Sequence, residues 1–596
     1  MVAFKLSTFG GMLPAVDKTL LPEPNAQNAV DIYLYSGALN GIKQPTLVHD
    51  MVDQFARKVF RIPKTFYDKE HMDDAWWMEF RDADTDVLRA PMADDSFQRY
   101  YWACASDNPR YATFAQITAA ATYAGADGYL LGIPTPGTPP SVVVTGGSAT
   151  DEARSYVYTW VSAYGEEGPP SPPTLVTDNP DGTWAVTVTA PTPEQSDNRN
   201  LDKVRIYRTV TSSAGVATYF FVAEIDIADT EYDDTRTNLA VSGENELLST
   251  DWAAPPDDLQ GIVAMPNGFF AGWVDNQIYF SEPYRPHAWP AAYAMSVADP
   301  IVGMGVVGQT LIVCTQGNPY ACAGVNPANM SLAKLGSNEP CMSRGSIVST
   351  PEGVYYASPN GLMLAAQGVI SNVTRSIMTK KEWLDLVNAS LLRGARLGTA
   401  YFAFSTVRAG CFDPGGFETG AFEQDDFTDT TTGILIEPNQ DRIGMHLLSS
   451  DSNNFSIMTD VWTTELFMIQ DQQVLWLDLS SNRATRPYLW KSKKFQAQKK
   501  ENLGAMRVFF EAPSDAPALN PVRNTDLIQT LADDQYGLVR VYADERLVMC
   551  RELRTSGEMM RLPSGFRCEF WEFEIEARVK VTSIQGASSA AELASV

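Results

Sequence analysis

Pro266-Asn267-Gly268-Phe269-Phe270, Val307-Gly308-Gln309-Thr310-Leu311 and Pro351-Glu352-Gly353-Val354-Tyr355 share one pattern, a glycine-centred turn opening into an apolar strand. The glycines fall at 268, 308 and 353, spacings of 40 and 45 residues. A fourth, weaker copy, Gly398-Thr399-Ala400-Tyr401-Phe402, follows another 45 on. Short strands such as Ile278-Tyr279-Phe280 and Leu311-Ile312-Val313-Cys314 lie between the turns. A period of about 40–50 residues carrying several strands per unit is the signature of propeller blades. From about Gly261 to Thr374 the repeat predicts strand, turn, strand, turn and third strand in each unit. Gly303-Met304-Gly305 reads as another blade turn.

On the N-terminal side the first forty residues are rich in Pro, Asn and Gly. They read as extended, turn-punctuated chain, with a short strand from Asp31 to Tyr35. Further short strands follow at Val59-Phe60-Arg61, Met78-Glu79-Phe80, Val87-Leu88-Arg89 and Arg99-Tyr100-Tyr101-Trp102-Ala103. The run Ala115 to Ala126 suits either a short helix or a linking strand. Pro134-Thr135-Pro136-Gly137-Thr138-Pro139-Pro140 is a stiff linker, and composition changes after it. Ser155 to Tyr164, Ala185 to Val188, Lys203 to Arg208 and Tyr219 to Ala223 read as strands of a β-sandwich of roughly 100 residues. Gly165-Glu166-Glu167-Gly168-Pro169-Pro170 breaks the first of them. This stretch resembles a fibronectin type III module. At its acidic end Asp229, Glu231, Asp233 and Asp234 are read as solvated strand-end carboxylates, with a calcium site weighed as the alternative.

On the C-terminal side Thr379 and Glu382 have capping-box spacing, which predicts a short helix between blades. Ala409 to Thr432 reads as a long acidic loop. Strands at Met506 to Phe510, Leu538 to Tyr542 and Glu569 to Ile575 predict an all-β terminal domain. Alternation puts Trp571, Phe573 and Ile575 on its core side and turns Glu572 and Glu574 outward. Lys491, Lys493, Lys494, Lys499 and Lys500 form the only dense lysine cluster, a candidate face for DNA or an acidic partner, or simply a solvated charge run. The expected organisation is therefore all-β and multi-domain. Residues 1–140 contribute propeller or platform strands, 141–250 form the inserted sandwich, 251–486 the propeller blades and 487–596 the C-terminal β domain.

The 596 residues carry 45 basic and 72 acidic side chains, a net charge of −27. Duplex DNA is gripped by Lys and Arg, so a chain this acidic is not a general nucleic-acid binder. It can surround DNA without holding it, or the acidity can serve solubility alone. Seven cysteines, an odd number without a CxxC pair, sit in or beside apolar strands and read as reduced thiols. His49, His71, His287 and His446 show no metal-ligand spacing. Neither a signal peptide nor a membrane span is expected. Asp73-Asp74, Asp94-Asp95 and Asp425-Asp426 are adjacent carboxylates, which point to opposite faces of a strand and do not make a glycosidase pair. Neither Gly-x-Ser-x-Gly nor His-Glu-x-x-His occurs. No catalytic residue, metal ligand or cofactor is assigned.

Five stretches carry a family likeness. They are Phe9-Gly10-Gly11 to Leu20-Leu21-Pro22, and Ile278-Tyr279-Phe280-Ser281-Glu282-Pro283-Tyr284-Arg285-Pro286-His287-Ala288-Trp289-Pro290. Then come the blade pieces Thr315-Gln316-Gly317-Asn318-Pro319-Tyr320 and Val354 to Leu362, and last Arg561-Leu562-Pro563-Ser564-Gly565-Phe566. In this ordered set the chain resembles the tail nozzle (tail tubular protein B-like) proteins of short-tailed bacteriophages, outside the sandwich insert. The resemblance implies a non-enzymatic virion protein, assembled in the host cytoplasm as a hexameric ring below the tail adaptor. That ring conducts and gates genomic DNA during ejection, without sequence-specific binding. The adaptor ring, tail fibres or spikes and the host envelope are its implied partners. Two alternatives stay open: a tail-associated receptor- or fibre-binding module and, more remotely, a propeller glycosidase.

Overall fold

The computed structural model describes residues 3–34, 36–65, 71–211, 217–366, 368–398, 400–410, 427–437, 444–448, 456–477, 485–511, 537–565 and 567–594. Thr399, Cys411, the core of the expected acidic loop with Asp425-Asp426, and Phe566 lie outside them. The chain is all-β and multi-domain, built of short strands with a few one- or two-turn helices. Two compact units emerge. One comprises residues 55–62 and 75–335, the other 1–54, 63–74 and 336–596.

The first unit holds blade-type meanders and the sandwich. Gln260–Met265, Phe269–Val274, Gln277–Phe280 and Met295–Ser296 form one antiparallel sheet. Ile301–Val307, Thr310–Thr315, Tyr320–Ala323 and Ser331–Lys334 form the next. The repeat thus has four strands where the sequence pattern suggested three, because the fourth is as short as two residues. Gly268 and Gly308 occupy the hairpin between first and second strands with φ of +79° and +58°, a region that costs other residues energy. Gly303-Met304-Gly305 is not a turn but the interior of the Ile301–Val307 strand, with a register shift between Ile301 and Gly303. A bulge is a common use of strand glycine.

Earlier strands of this unit make a further four-stranded meander, Asp86–Arg89, Tyr100–Ala103, Arg110–Ala112 and Tyr129–Leu130. A three-stranded sheet comprises Lys58–Pro63, Ala75–Phe80 and Thr122–Ala124. The run at 115–126 resolves into both expected forms, a one-turn helix Phe114–Ile117 and the strand Thr122–Ala124. Thr113 caps that helix in a capping box with Gln116.

The insert is a two-sheet sandwich of seven strands. Ser141–Thr145, Thr183–Thr187 and Glu231–Asp234 make one sheet. Thr174–Asp178, Glu152–Ser162, Leu201–Thr211 and Ala217–Asp226 make the other. Its core stacks Tyr156, Tyr158, Trp160 and Trp184 against Val186, Val204, Ile206 and Val222. The Pro-rich stretch does not stand clear of it. Tyr158 Oη donates to Thr138 O at 2.9 Å, and Ile133 joins the core.

Asp234 corrects the reading of solvated strand-end carboxylates. It is fully buried, 2.9 Å from Arg208 Nε, and accepts from Tyr156 Oη at 2.8 Å and from the Arg236 amide at 2.9 Å. Arg208 also donates to Asn238 Oδ1 and Arg236 O. Strand alternation turned this acid inward, where only pairing makes a buried charge tolerable.

In the second unit Val348–Ser349, Val354–Ser358, Gly361–Ala366 and Val369–Asn372 form the sheet of the third repeat. Gly353 lies in its first turn without a positive φ. The fourth copy departs from the blade pattern. Arg393–Leu397 and Ala400–Gly410 open a ten-stranded sheet, and Ala400–Gly410 pairs along its length with Phe427–Glu437. The ends of the expected 409–432 loop are therefore hairpin strand, as far as the described residues reach.

The chain's start is woven into its end. Ala3–Leu6 pairs with Lys580–Ala587, Ala26–Val30 with Tyr488–Ser492, and Thr46–Asp50 with Gln473–Leu477. Such long-range pairing leaves no local mark in the sequence, so the expected boundaries at 140 and 486 do not coincide with the compact units.

The expected helix is Lys380–Leu386, with Thr379 and Glu382 in a reciprocal capping box. It seats the fully buried Trp383, whose indole donates to Ser358 O at 3.0 Å. Thr379→Ala removes the acceptor for the Glu382 amide and is expected to cost about 1 kcal/mol, read as a shift in urea midpoint at unchanged slope.

Candidate functional site

The first unit contains a buried charged node and, beside it, an open cleft. The node starts from a tight turn at Asp95, whose carboxylate receives Arg99 through Nε at 3.1 Å, Nη2 at 3.2 Å and the amide at 2.8 Å. The remaining fork nitrogen, Nη1, reaches Glu166 Oε1 at 2.6 Å. Glu166 comes from the Gly165–Gly168 break in the sandwich strand, where Gly165 has φ +78°. Its amide donates to Ser162 Oγ at 3.2 Å. His287 Nδ1 stands 3.8 Å from the same carboxylate oxygen.

Burial raises the Glu166 pKa against the pull of Arg99. Asp95 pays the same burial cost, yet hydrogen bonds from Arg99 hold it below the usual carboxylate range. Burial, followed by the charges of Arg99 and Arg285, pushes His287 down to about 3, so its ring is neutral. Both carboxylates are spent on one guanidinium, and all of these side chains are buried. The node is a clamp that pins the sandwich's 162–168 turn to Arg99, just ahead of the Tyr100–Ala103 strand, and to the loop that carries His287.

Adjacent residues on an extended chain point to opposite sides, so Glu167 faces the other way from Glu166, into a cleft of about 690 Å³. Glu167 accepts from Thr159 Oγ1 and Tyr207 Oη at 2.7 Å and from Arg205 at 2.9 Å. Arg205 also holds Glu224 at 2.8 Å, and Glu244 pairs with Arg236 at 2.5 Å. Trp252, Phe221, Leu248, Glu246, Arg285 and His287 complete the lining that matters chemically. Arg285 and His287 fall within the quoted 278–290 stretch. The others are scattered over 221–252 and carry no common signal in the sequence.

In the second unit the lysine cluster is largely spent on its own fold. Lys491 pairs with Glu572 at 2.7 Å and lies over the Tyr542 ring. Lys493 Nζ donates to Leu21 O at 2.5 Å. Lys494 pairs with Glu545 at 2.7 Å and covers Phe570. Lys499 and Lys500 are exposed. Glu572, expected to face outward with Glu574, is instead only 4 % exposed. The Cys568–Ala577 strand is flanked on both sides, and its second face carries an ion-pair ladder that continues with Arg540 on Glu574 and Glu576. Trp571, Phe573 and Ile575 fill the core as the alternation required.

Cys104, Cys314, Cys322, Cys341 and Cys568 are buried free thiols, while Cys550 is exposed. Among the described residues no group of three or more His, Cys, Asp or Glu is placed to hold a metal ion. No described helix is long and apolar enough to cross a membrane.

No family model matches the sequence, and no curated protein matches it significantly. Among solved structures, Hsv2 of Kluyvelomyces marxianus is similar at 8% identity over 62% of this chain and 79% of that one, with a TM-score of 0.23. The N-terminal domain of Nup159 is similar at 9% identity over 58% of this chain and 98% of that one, with a TM-score of 0.20. Likenesses this distant carry no functional argument.

Proposed function

We propose that this chain is a structural protein of a bacteriophage tail, a subunit of a nozzle ring below the adaptor that conducts and gates genomic DNA, and not an enzyme. The observation that carries the reading is the fate of the lysines. Three of the five cations in the dense basic cluster are held by acceptors of the same chain. The surplus of 72 acidic over 45 basic residues is left to repel a DNA strand and let it slide. The family resemblance of the five quoted stretches supplies the ring, the adaptor and the virion as context. A head-to-tail interface that closes by rotation is what such a ring requires.

The test is reconstruction of the tail of a virion carrying this chain. A ring of about six copies is expected, around a channel about 20 Å wide when open, enough for a duplex. Peripheral trimers, or absence from the particle, would overturn the reading. In a gel at about 100 mM salt the purified protein is expected not to retard duplex DNA, where basic binders still do. Tight retardation would remove the physical support for a sliding channel. A second reading, a receptor- or fibre-binding module, is favoured by the solvent-open cleft beside the node.

A further inference from the structure

We propose that the cleft lined by Trp252, Phe221, Leu248, Glu246, Arg285 and His287 binds an acidic saccharide, a hexose ring bearing one carboxylate. The inference rests on the cleft alone and stands whether or not the chain forms a ring. Its volume of about 690 Å³ lies within the about 300–1,000 Å³ of small-ligand sites.

The charges in its wall are not equivalent. Arg205 is saturated by Glu167 and Glu224, and Glu244 by Arg236. That leaves Arg285 and Glu246 as lining charges without an ion-pair partner among the described residues. Arg285 is exposed, and its guanidinium lies 5.0 Å over the Trp252 ring. Stacking holds the planar fork still and leaves its edge free, the geometry that takes a carboxylate through two parallel hydrogen bonds.

The node next door offers this cation no free charge. Glu166, in the node, is already bound to Arg99, and His287, stacked edge-on against Trp252 at 5.7 Å, is neutral and offers no charge. Glu246 is exposed and supplies a carboxylate acceptor for hydroxyl groups. Leu248 is 67% exposed, and with Phe221 it offers an apolar surface to the C–H face of a sugar ring. The four glutamates of the wall disfavour a dianion such as a phosphate ester. A single carboxylate carried on a hydroxylated ring satisfies cation, acceptor and apolar surface together.

The experiment is saturation-transfer NMR and calorimetry on the full chain with methyl glucuronide, against methyl glucoside, succinate and inorganic phosphate. Methyl glucuronide is expected to bind at least about 10-fold more tightly than methyl glucoside, one charge-assisted fork being worth that much. Arg285→Ala should abolish the difference between the two sugars. Arg285→Lys keeps the charge, loses the fork and should retain only part of it. Glu246→Gln should weaken methyl glucoside more than methyl glucuronide, because for the charged sugar the weaker acceptor is offset by relief of repulsion. Equal binding of the two sugars to the native chain overturns the proposal, as does no binding of either. Tighter binding of phosphate or succinate overturns it too, and assigns the cleft to simple anions. The native-chain comparison needs no variant to fold, and none of its outcomes bears on ring assembly.

Discussion

Replacing Asp234 with alanine is expected to destabilise the sandwich insert by about 3–5 kcal/mol, the largest single-residue effect anticipated here. The acid is fully buried, and its removal leaves the equally buried Arg208 facing Tyr156 without its counter-charge. A guanidinium cannot shed its proton at any accessible pH, so the cost cannot be escaped by neutralisation. Arg208→Met should cost less, because the carboxyl left behind can take up a proton. The asymmetry is the informative part. Hydrogen exchange on the full chain reads it in Leu201–Thr211, which carries Arg208, and in Glu152–Ser162, which carries Tyr156 and pairs with it. If the two variants lose protection equally, or neither does, the ion pair does not hold the sandwich.

On acidification from pH 7.5 to 5 two buried histidines, one in each unit, are expected to cost about 4 kcal/mol between them. Burial lowers His287 to about 3 and His446 to about 4, whereas an unfolded histidine titrates near 6.5. Between those values the unfolded chain holds a proton that the folded chain refuses, so stability falls as pH drops below about 6.5. Each ring contributes about 2 kcal/mol by pH 5. Glu166 opposes this, since its folded value is raised and protonation there favours the native state. His446→Asn should remove the acid sensitivity of the unit spanning 336–596 and leave that of the other unchanged. Exchange protection in both units that stays flat from pH 7.5 to 5 would contradict the argument.

What the sequence revealed was local chemistry, and what it hid was decided at a distance. Gly268 and Gly308 were legible because a hairpin needs positive φ there. The Thr379–Glu382 cap was legible because both of its hydrogen bonds fall within three residues. Gly303 and Gly305 misled because the same residue serves turns and bulged strands, and pairing partners decide which. Glu572 and Asp234 misled because strand alternation says that a side chain changes face, not what covers the face it reaches. Of the cleft, only Arg285 and His287 were in a stretch already singled out. Trp252, Phe221 and Glu246 meet them through the fold.

The pairing of the first strands with the last also sets a timetable. Thr46–Asp50 cannot find its partner until Gln473–Leu477 is made, and Ala3–Leu6 waits for Lys580–Ala587. At the ribosome's roughly 5–20 residues per second, that is a delay of about 20–120 s. During that delay the earliest strands must remain unpaired while the insert, whose seven strands all lie between 141 and 234, completes itself. Ribosome-bound chains halted before residue 470 should therefore carry a folded sandwich and a protease-sensitive beginning. The second unit can close only once Lys580–Ala587 has been made, so its early strands stay open to chaperones until then.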